Sequence, residues 1–458
     1  MSRSTITSSA VDARPLRPPK ASWVLDTDVG AVIGALTLVV VGLWARHGGV
    51  TSLGGSATDV FTSLASLTGL LASEAGILGL VLVTRTPQLE RRYGLDRMLN
   101  WHRLLGELMA IFLVAHIVTS VEAWADPGGV MAAIKDLTGR EPYMALTTVG
   151  TVMILLVTLS SLKVARSRMT YETWYFVHML SYVGLAFSFS HQIVLGSDFM
   201  NDPLARWFWI GLHAGLIVWM VWGRWGTLFV SLARPLRVAS IRHEASGVVS
   251  LTLAGGSLNK HRAQSGQFYY LRELAPGRWW SNNPFSLSAE PTSAGLRFTI
   301  KDRGDASRAF TRINEGARVA IEGPYGVCTP DLVDGEKVVL VAGGVGVGPV
   351  VSFIEQLGPT SEPVVLYRAH SQNEVAHEEE LDRLVSARGG RLHILVGARS
   401  TLKVADPFAA EVLCKTIPDI ADRTVVVAGP ESMIKAMQRG ARAAGVPSER
   451  IHAERAWW

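Results

Sequence analysis

The sequence predicts a multi-domain membrane protein: a six-helix all-α transmembrane bundle, then a small antiparallel β-barrel, then an α/β domain with a parallel sheet. Three observations predict it. The 458 residues are 48% hydrophobic, and the apolar ones concentrate in the first half. Six apolar stretches there, near 28–46, 60–84, 101–122, 145–163, 174–195 and 206–231, approach the ~20 residues that cross a hydrocarbon core. After Arg234-Pro235 the texture changes to short β-like runs broken by Gly and Pro, and then to strand-like runs alternating with helical ones.

Residues 1–22 are polar, with Arg14, Pro15, Arg17, Pro18, Pro19 and Lys20, and read as a disordered tail. No short apolar run precedes a small-residue cleavage site, so a signal peptide is not expected. Loop charge orients the bundle over 23–234. One side carries Arg3, Arg14, Arg17 and Lys20, then Arg85, Arg91, Arg92, Arg97 and Arg103, then Lys163, Arg166 and Arg168. The other carries only Arg46, Lys135, Arg140 and Arg206, beside Asp126, Asp136, Asp198 and Asp202. Twelve against four places the first group in the cytoplasm, with both termini and the soluble half on that side. Spans three and five then both run outward. The formal charge of +5 sits largely in these flanks, so the expected surrounding is membrane lipid and nucleic-acid binding is not expected. Cys328 and Cys414 are too few for a disulfide framework or an iron–sulfur cluster.

Four histidines stand out on spans three and five. His102 and His116 are fourteen residues apart, and His178 and His191 thirteen apart. Each pair covers roughly 20 Å of helix, most of a ~30 Å hydrocarbon core. A lone membrane histidine is more often a packed core residue than a ligand. Two at matched depths on each of two parallel helices instead suggest two stacked cofactors, each held axially by one histidine per helix. His102 falls level with His178 near the inner face, and His116 with His191 near the outer face. The cofactor that takes two imidazoles and sits in lipid is haem. Fourteen steps at ~100° return a ring to within about 40° of its starting face, whereas thirteen leave it about 140° away. The second helix must therefore tilt, wind locally near Gly184, or hold its two ligands at different azimuths.

In the soluble half, VVSLTLAG, GQFYYLREL, LRFTIKDRG and ARVAIEGPYG read as barrel strands over 235–332. Over 333–458, EKVVLVAGG, EPVVLYRAH, RLHILVGAR and RTVVVAGP read as strands of a parallel sheet. The run Leu340 to Pro349 leads a buried strand through glycines into a helix, where backbone amides and the helix dipole suit a pyrophosphate. A glycine turn alone is a weak signal. Gly304-Asp305-Ala306-Ser307 opens a second helix suited to a diphosphate, Asn283-Pro284-Phe285-Ser286-Leu287-Ser288 lies on a barrel strand, and Glu322 to Gly326 reads as a structural turn. Arg368 and Arg399 each follow a strand of the α/β domain and suit a 2′-phosphate, favouring NADPH over NADH.

The order N-P-F-S-L-S, G-x-x-S, E-G-P-Y-G, A-G-G-V-G-V-G-P, A-G-P-E-S-M and a terminal H-A-E-R-A-W-W resembles the ferredoxin–NADP reductase superfamily. Joined to six spans with two histidine pairs, the chain over 28–458 resembles the NADPH oxidase and ferric reductase family in its bacterial form. The resemblance implies a plasma-membrane (bacterial inner membrane) oxidoreductase in which NADPH reduces FAD and electrons pass singly through two b-type haems to an outside acceptor. It also implies roles by position. Ser286 faces the flavin N5, and Phe285 packs on the ring, with Asn283, Pro284 and Leu287 beside it. Gly304 and Ser307 bind the FAD diphosphate. Gly344, Gly346 and Gly348 take the nicotinamide dinucleotide's diphosphate, flanked by Gly343, Pro349, Gly429 and Pro430. A terminal aromatic, Trp457 or Trp458, stacks on the flavin until nicotinamide displaces it.

Three positions depart from the family pattern. Asn283 replaces a usual His or Arg, Ala428 replaces the Cys of C-G-P, and Ser120 stands where oxygen-reducing members carry an extra His. The last favours a ferric complex over oxygen as the external acceptor, with Arg46, His47 and His213 as candidates to line its site. An electron-donating subunit serving a protein partner, and a haem protein with a degenerate soluble half, are the competing readings.

Overall fold

The computed structural model describes residues 26–455 apart from 85, 87–88, 91–92, 126–127, 140–142, 257, 259–261, 279–280, 334–336 and 398–405. Its contacts divide the chain into two units. Among the described residues, one takes in 26–86 together with Leu95–Arg224, and the other Pro87–Gly94 together with the chain from Trp225 onward.

Helices occupy all six apolar stretches: α1 (Asp26–Arg46), α2 (Ala57–Leu82), α3 (Leu95–Trp124), α4 (Met144–Ser161), α5 (Tyr171–Leu195) and α6 (Pro203–Met220). A π turn over Val221–Gly226 carries α6 into α7 (Thr227–Ala233). Their starts are written locally. Ser56 and Asp59 form a reciprocal capping box on α2, Thr170 accepts the Thr173 amide of α5, and Asp202 accepts the Leu204 and Ala205 amides behind Pro203. Among the described residues, four helical runs are long and apolar enough to cross a membrane: α2, α3, α4 and α6–α7. α1 offers the shorter apolar run Gly30–Arg46. α5 is diluted by Thr173, His178, Ser181, Ser188, Ser190, His191 and Gln192. Ile111, Val118, Leu159, Phe176, Trp207 and Ile217 are exposed, as a lipid-facing surface requires.

α2 packs along α3, and α4 along α5. The second contact depends on facing glycines. A Cβ on Gly150 would lie 2.7 Å from the Gly184 carbonyl oxygen, and one on Gly184 would lie 2.8 Å from Ile154 Cγ1. Small residues let membrane helices approach closely enough for such backbone contact. α5 runs unbroken through Gly184, so its thirteen-residue histidine spacing is not corrected by local unwinding. Gly150→Val is expected to push α4 off α5 and destabilise the bundle by about 1–3 kcal/mol, read as a lower unfolding temperature in detergent. An unchanged temperature would mean the helices can separate without cost.

In the other unit, β1 (Leu236–Ala245), β2 (Val248–Ala254), β3 (Phe268–Glu273), β4 (Asn283–Ser286), β5 (Leu296–Lys301) and β6 (Arg318–Tyr325) form one antiparallel sheet ordered β4-β3-β6-β1-β2-β5. Leu251, Leu253, Tyr269, Phe298, Val319 and Ile321 fill its core. The expected barrel is realised only as this sheet. Among the described residues no ladder joins β4 to β5, and a single bridge, Leu287 to Phe298, spans the gap. Helix α8 (Asp305–Thr311) follows β5.

The second sheet is parallel, ordered β11-β10-β7-β8-β9, from β7 (Val338–Gly343), β8 (Val364–Ala369), β9 (Arg391–Val396), β10 (Thr424–Gly429) and β11 (Ile451–Arg455). Both of its faces are covered. Val338, Leu340 and Ala342 of β7 join the core under α9 (Val347–Glu355) and α10 (Glu378–Ser386). Val339 and Val341 join the opposite core with α11 (Ala410–Thr416) and α12 (Glu431–Ala443). That is why β7 reads as continuous hydrophobic sequence. α9 leaves β7 on one face and α12 leaves β10 on the other, so the carboxyl ends of β7 and β10 flank a topological switch point.

Candidate functional site

In the membrane unit the four histidines meet in the expected pairs. The ring centres of His102 and His178 are 6.0 Å apart at 75°, and those of His116 and His191 are 6.2 Å apart at 34°. A metal bound to one nitrogen of each ring at about 2 Å would hold the centres roughly 6 Å apart.

Each ring is held by its other nitrogen. His102 Nδ1 is 2.9 Å from the Gly79 carbonyl oxygen, and His116 Nδ1 is 2.8 Å from that of Ala65. His191 Nδ1 is 3.2 Å from Thr147 Oγ1, and His178 Nδ1 is 3.4 Å from Ser161 Oγ, with the Trp174 ring stacked on His178. A carbonyl only accepts, so Nδ1 carries the proton in His102 and His116 and the Nε2 lone pair is left for a ligand bond. Gly69 leaves room for the His116 ring, which a Cβ there would approach to 2.8 Å. Among the described residues no three His, Cys, Asp or Glu side chains gather as a metal site. Paired imidazoles therefore suit a metal that brings its own equatorial ligands, as haem does.

Two adjoining clefts lie in the soluble unit. One is lined by Phe285, Ser286, Gly343, Gly346, Pro349, Ala428, Gly429, Pro430 and Glu454. The other is lined by Asn283, Pro284, Phe285, Lys301, Gly304, Asp305 and Ser307. Thr299, Arg303 and Val345 line both, as does Phe285. The first cleft lies at the switch point. Its floor has no space for side chains: a Cβ on Gly346 would strike the Ala428 carbonyl, and one on Gly429 would lie 3.1 Å from Gly343 Cα. In the second cleft the Ser307 hydroxyl accepts the Arg303 amide at 2.8 Å and donates to the Gly304 carbonyl at 3.1 Å, closing the turn into α8. Asp302 beside it is held below the usual carboxylate range by the hydrogen bond from Arg308.

The other predicted residues are placed differently. Leu287 is fully buried in the antiparallel core and lines neither cleft. Gly348 packs its backbone on Thr299 and Ser288, and Gly344 (φ 56) turns beneath the Arg303 guanidinium. Arg368 donates to the carbonyls of Ala369, Leu395 (2.9 Å) and Gly397, so its guanidinium binds the ends of β8 and β9. Arg399, Trp457 and Trp458 lie outside the described residues. Asn283 lines the second cleft and donates to Ser281 Oγ at 3.1 Å, while Ala428 lines the first. Of the acceptor candidates, Arg46 and His47 both pair with Asp202 at 3.1 Å, and His213 Nδ1 lies 2.9 Å from the Trp209 carbonyl oxygen. Thr299, Arg303 and Glu454 were missed. Arg303 sits one residue before the Gly304 motif and Glu454 lies inside the terminal H-A-E-R-A-W-W run, so only Thr299 had no motif beside it.

Residues 68–189 match the family of ferric reductase like transmembrane components, and residues 340–439 match the oxidoreductase NAD-binding domain family. The first match takes in His102, His116 and His178, and the second the glycine turn. A flavohemoprotein of Bordetella pertussis is 28% identical over 242 residues, covering 48% of this chain and 60% of the relative. Ferric reduction oxidase 7, chloroplastic, of Arabidopsis thaliana is 23% identical over 320 residues, covering 64% of this chain and 40% of the relative. The chain thus spans less than two thirds of each. A flavohemoglobin from Malassezia yamatoensis aligns at a TM-score of 0.43 and 16% identity over 87% of this chain and 98% of its own. The chain joins a ferric-reductase-like transmembrane domain to an oxidoreductase NAD-binding domain.

Proposed function

We propose that this multi-pass membrane oxidoreductase of the NAD(P)H/FAD type takes electrons from cytoplasmic NADPH and delivers them to an acceptor on the outer face, a ferric complex before oxygen. The carrying observation is the pair of facing imidazole sets, 6.0 and 6.2 Å apart, in one chain with the glycine-floored cleft. The domains are 23–234 for haem, 235–332 for FAD and 333–458 for NADPH, with all six helices spanning and both termini inside. When bound, FAD splits the two-electron chemistry of nicotinamide into single electrons that haem accepts.

The chain's residues would do the following. His102 with His178, and His116 with His191, would hold two b-type haems, their Nδ1 anchors fixing ring orientation. Asn283, Pro284, Phe285, Gly304 and Ser307 would hold FAD, with Ser286 in the first cleft next to Phe285 of both, where hydride transfer belongs. Gly343, Gly344, Gly346, Gly348, Pro349, Gly429 and Pro430 would let the nicotinamide dinucleotide approach the backbone. Arg303, over the Gly344 turn and in both clefts, would meet phosphate charge there. Arg399 would add the 2′-phosphate contact and Trp458 the stacking partner, while Arg368 ties the ends of β8 and β9. Ser120 supports the ferric acceptor.

The test is anaerobic. Purified protein with FAD receives NADPH while haem absorbance is followed, and then oxygen or a ferric chelate is added. Reduction of two haems per chain, with fast reoxidation by ferric chelate, is the expected result. Reduced flavin beside oxidised haems would overturn the relay. Arg303→Ala is expected to raise KM for NADPH about tenfold, the loss of one charged phosphate contact, with kcat little changed. An unchanged KM would remove Arg303 from the phosphate site.

A further inference from the structure

One polar network in the soluble unit has no part in the reading above. His377 follows β8 and precedes α10, its side chain fully buried and its backbone in the left-handed region (φ 59). A non-glycine residue held there is over-determined by its surroundings. His377 Nδ1 is 2.9 Å from Glu380 Oε2 and 3.7 Å from Glu244 Oε2. Its Nε2 is 2.8 Å from the Thr299 hydroxyl and 3.4 Å from that of Ser250. Glu380 also accepts from Arg297 at 2.9 Å. Burial alone would raise the Glu380 carboxyl, but the hydrogen bonds from His377 and Arg297 outweigh it and hold it down at about 2.

The donor directions follow from chemistry. An ionised carboxylate only accepts, so His377 carries its proton on Nδ1 toward Glu380. With a single proton on the ring, Nε2 can then only accept, and of the two hydroxyls in reach that of Thr299 at 2.8 Å is nearer than that of Ser250 at 3.4 Å. That spends the single hydrogen of Thr299 on the histidine. Thr299 lines both clefts, and toward them it can present only lone pairs. Thr299 is also fixed in place, with Gly348 of α9 packed 3.3 Å from its Cβ, measured to the Cβ that glycine lacks.

We propose that Thr299 is a specificity-determining acceptor for an N–H donor, the carboxamide amino group of the nicotinamide, and that His377 and Glu380 are positioning residues that make it so. The proposal rests on the NADPH reading of the glycine-floored cleft. A hydroxyl locked as acceptor recognises an amide NH2 and disfavours a carboxylate at the same position, which the adenosine half of the ligand never meets.

The experiment measures binding to the FAD-loaded full chain by calorimetry, with NADP+ and with 2′,5′-ADP, which lacks the nicotinamide. Thr299→Val is expected to weaken NADP+ about fivefold to tenfold and to leave 2′,5′-ADP unchanged. Thr299→Ser should bind like the original chain. Glu380→Gln can turn the imidazole to its other tautomer and the Thr299 hydrogen toward the cleft. It should weaken NADP+ similarly, and the double variant should be no worse than Thr299→Val alone. Unchanged NADP+ affinity in Thr299→Val, equal loss of 2′,5′-ADP, or loss of FAD instead would each overturn the assignment. Failure of the original chain to bind NADP+ at all would sink the parent reading, and is visible before any variant is made.

Discussion

A His116→Leu variant should carry one haem per chain instead of two, deliver no electrons to an outside acceptor, and still reduce FAD with NADPH. Leucine suits the membrane interior and nearly fills the imidazole's space, so the bundle should survive the change. What is lost is the Nε2 lone pair opposite His191, 6.2 Å away between ring centres, and the Nδ1 anchor on Ala65. His102→Leu should remove the other haem in the same way. Haem content per chain and anaerobic flavin bleaching give the two readouts. If flavin reduction fell as far as transmembrane transfer, the relay order would be wrong.

The second large effect is expected at Gly346. Its missing Cβ would point into the Ala428 carbonyl, with Gly429 N 3.2 Å away. Backbone on both sides cannot yield as a flexible side chain could, so Gly346→Ala must open the turn between β7 and α9. A displacement of this kind costs on the order of a hundredfold in rate, and kcat/KM for NADPH-dependent flavin reduction should fall accordingly. FAD retention should not change, because Gly346 is absent from the second cleft. Gly358→Ala, where no atom lies within 4 Å of the new methyl, is the matched control. Equal activity in the two variants would show that the floor of the cleft is not tight.

How much of this was legible in the sequence depended on range. Period-two and continuous apolar runs marked β2, β3, β5, β6, β7, β8, β9 and β10, since each buries a face set by its own residues. β1 was not singled out: Arg237, Ser240, Arg242, His243 and Glu244 break its alternation, and its partners β2 and β6 make it a strand. Closure of the barrel was over-read, because it depends on long-range register between β4 and β5, which no local pattern carries. The histidine pairing was legible because two independent patterns, charge and spacing, had to agree. The role of Arg368 was not, since engagement by the carbonyls of Leu395 and Gly397 is a fact of strand neighbours. Thr299 is an ordinary strand threonine until a histidine 78 residues away is folded onto it.

The four imidazole anchors are not equivalent. On α2 they are carbonyl oxygens, which cannot rotate or donate, so His102 and His116 hold one tautomer and one heading before anything binds. On α4 they are the hydroxyls of Thr147 and Ser161, longer contacts that can turn and can serve as donor or acceptor. Each histidine pair therefore has a stiff jaw on α3 and a compliant jaw on α5. In order of synthesis, the stiff jaw belongs to the hairpin that is made first and the compliant jaw to the one made second.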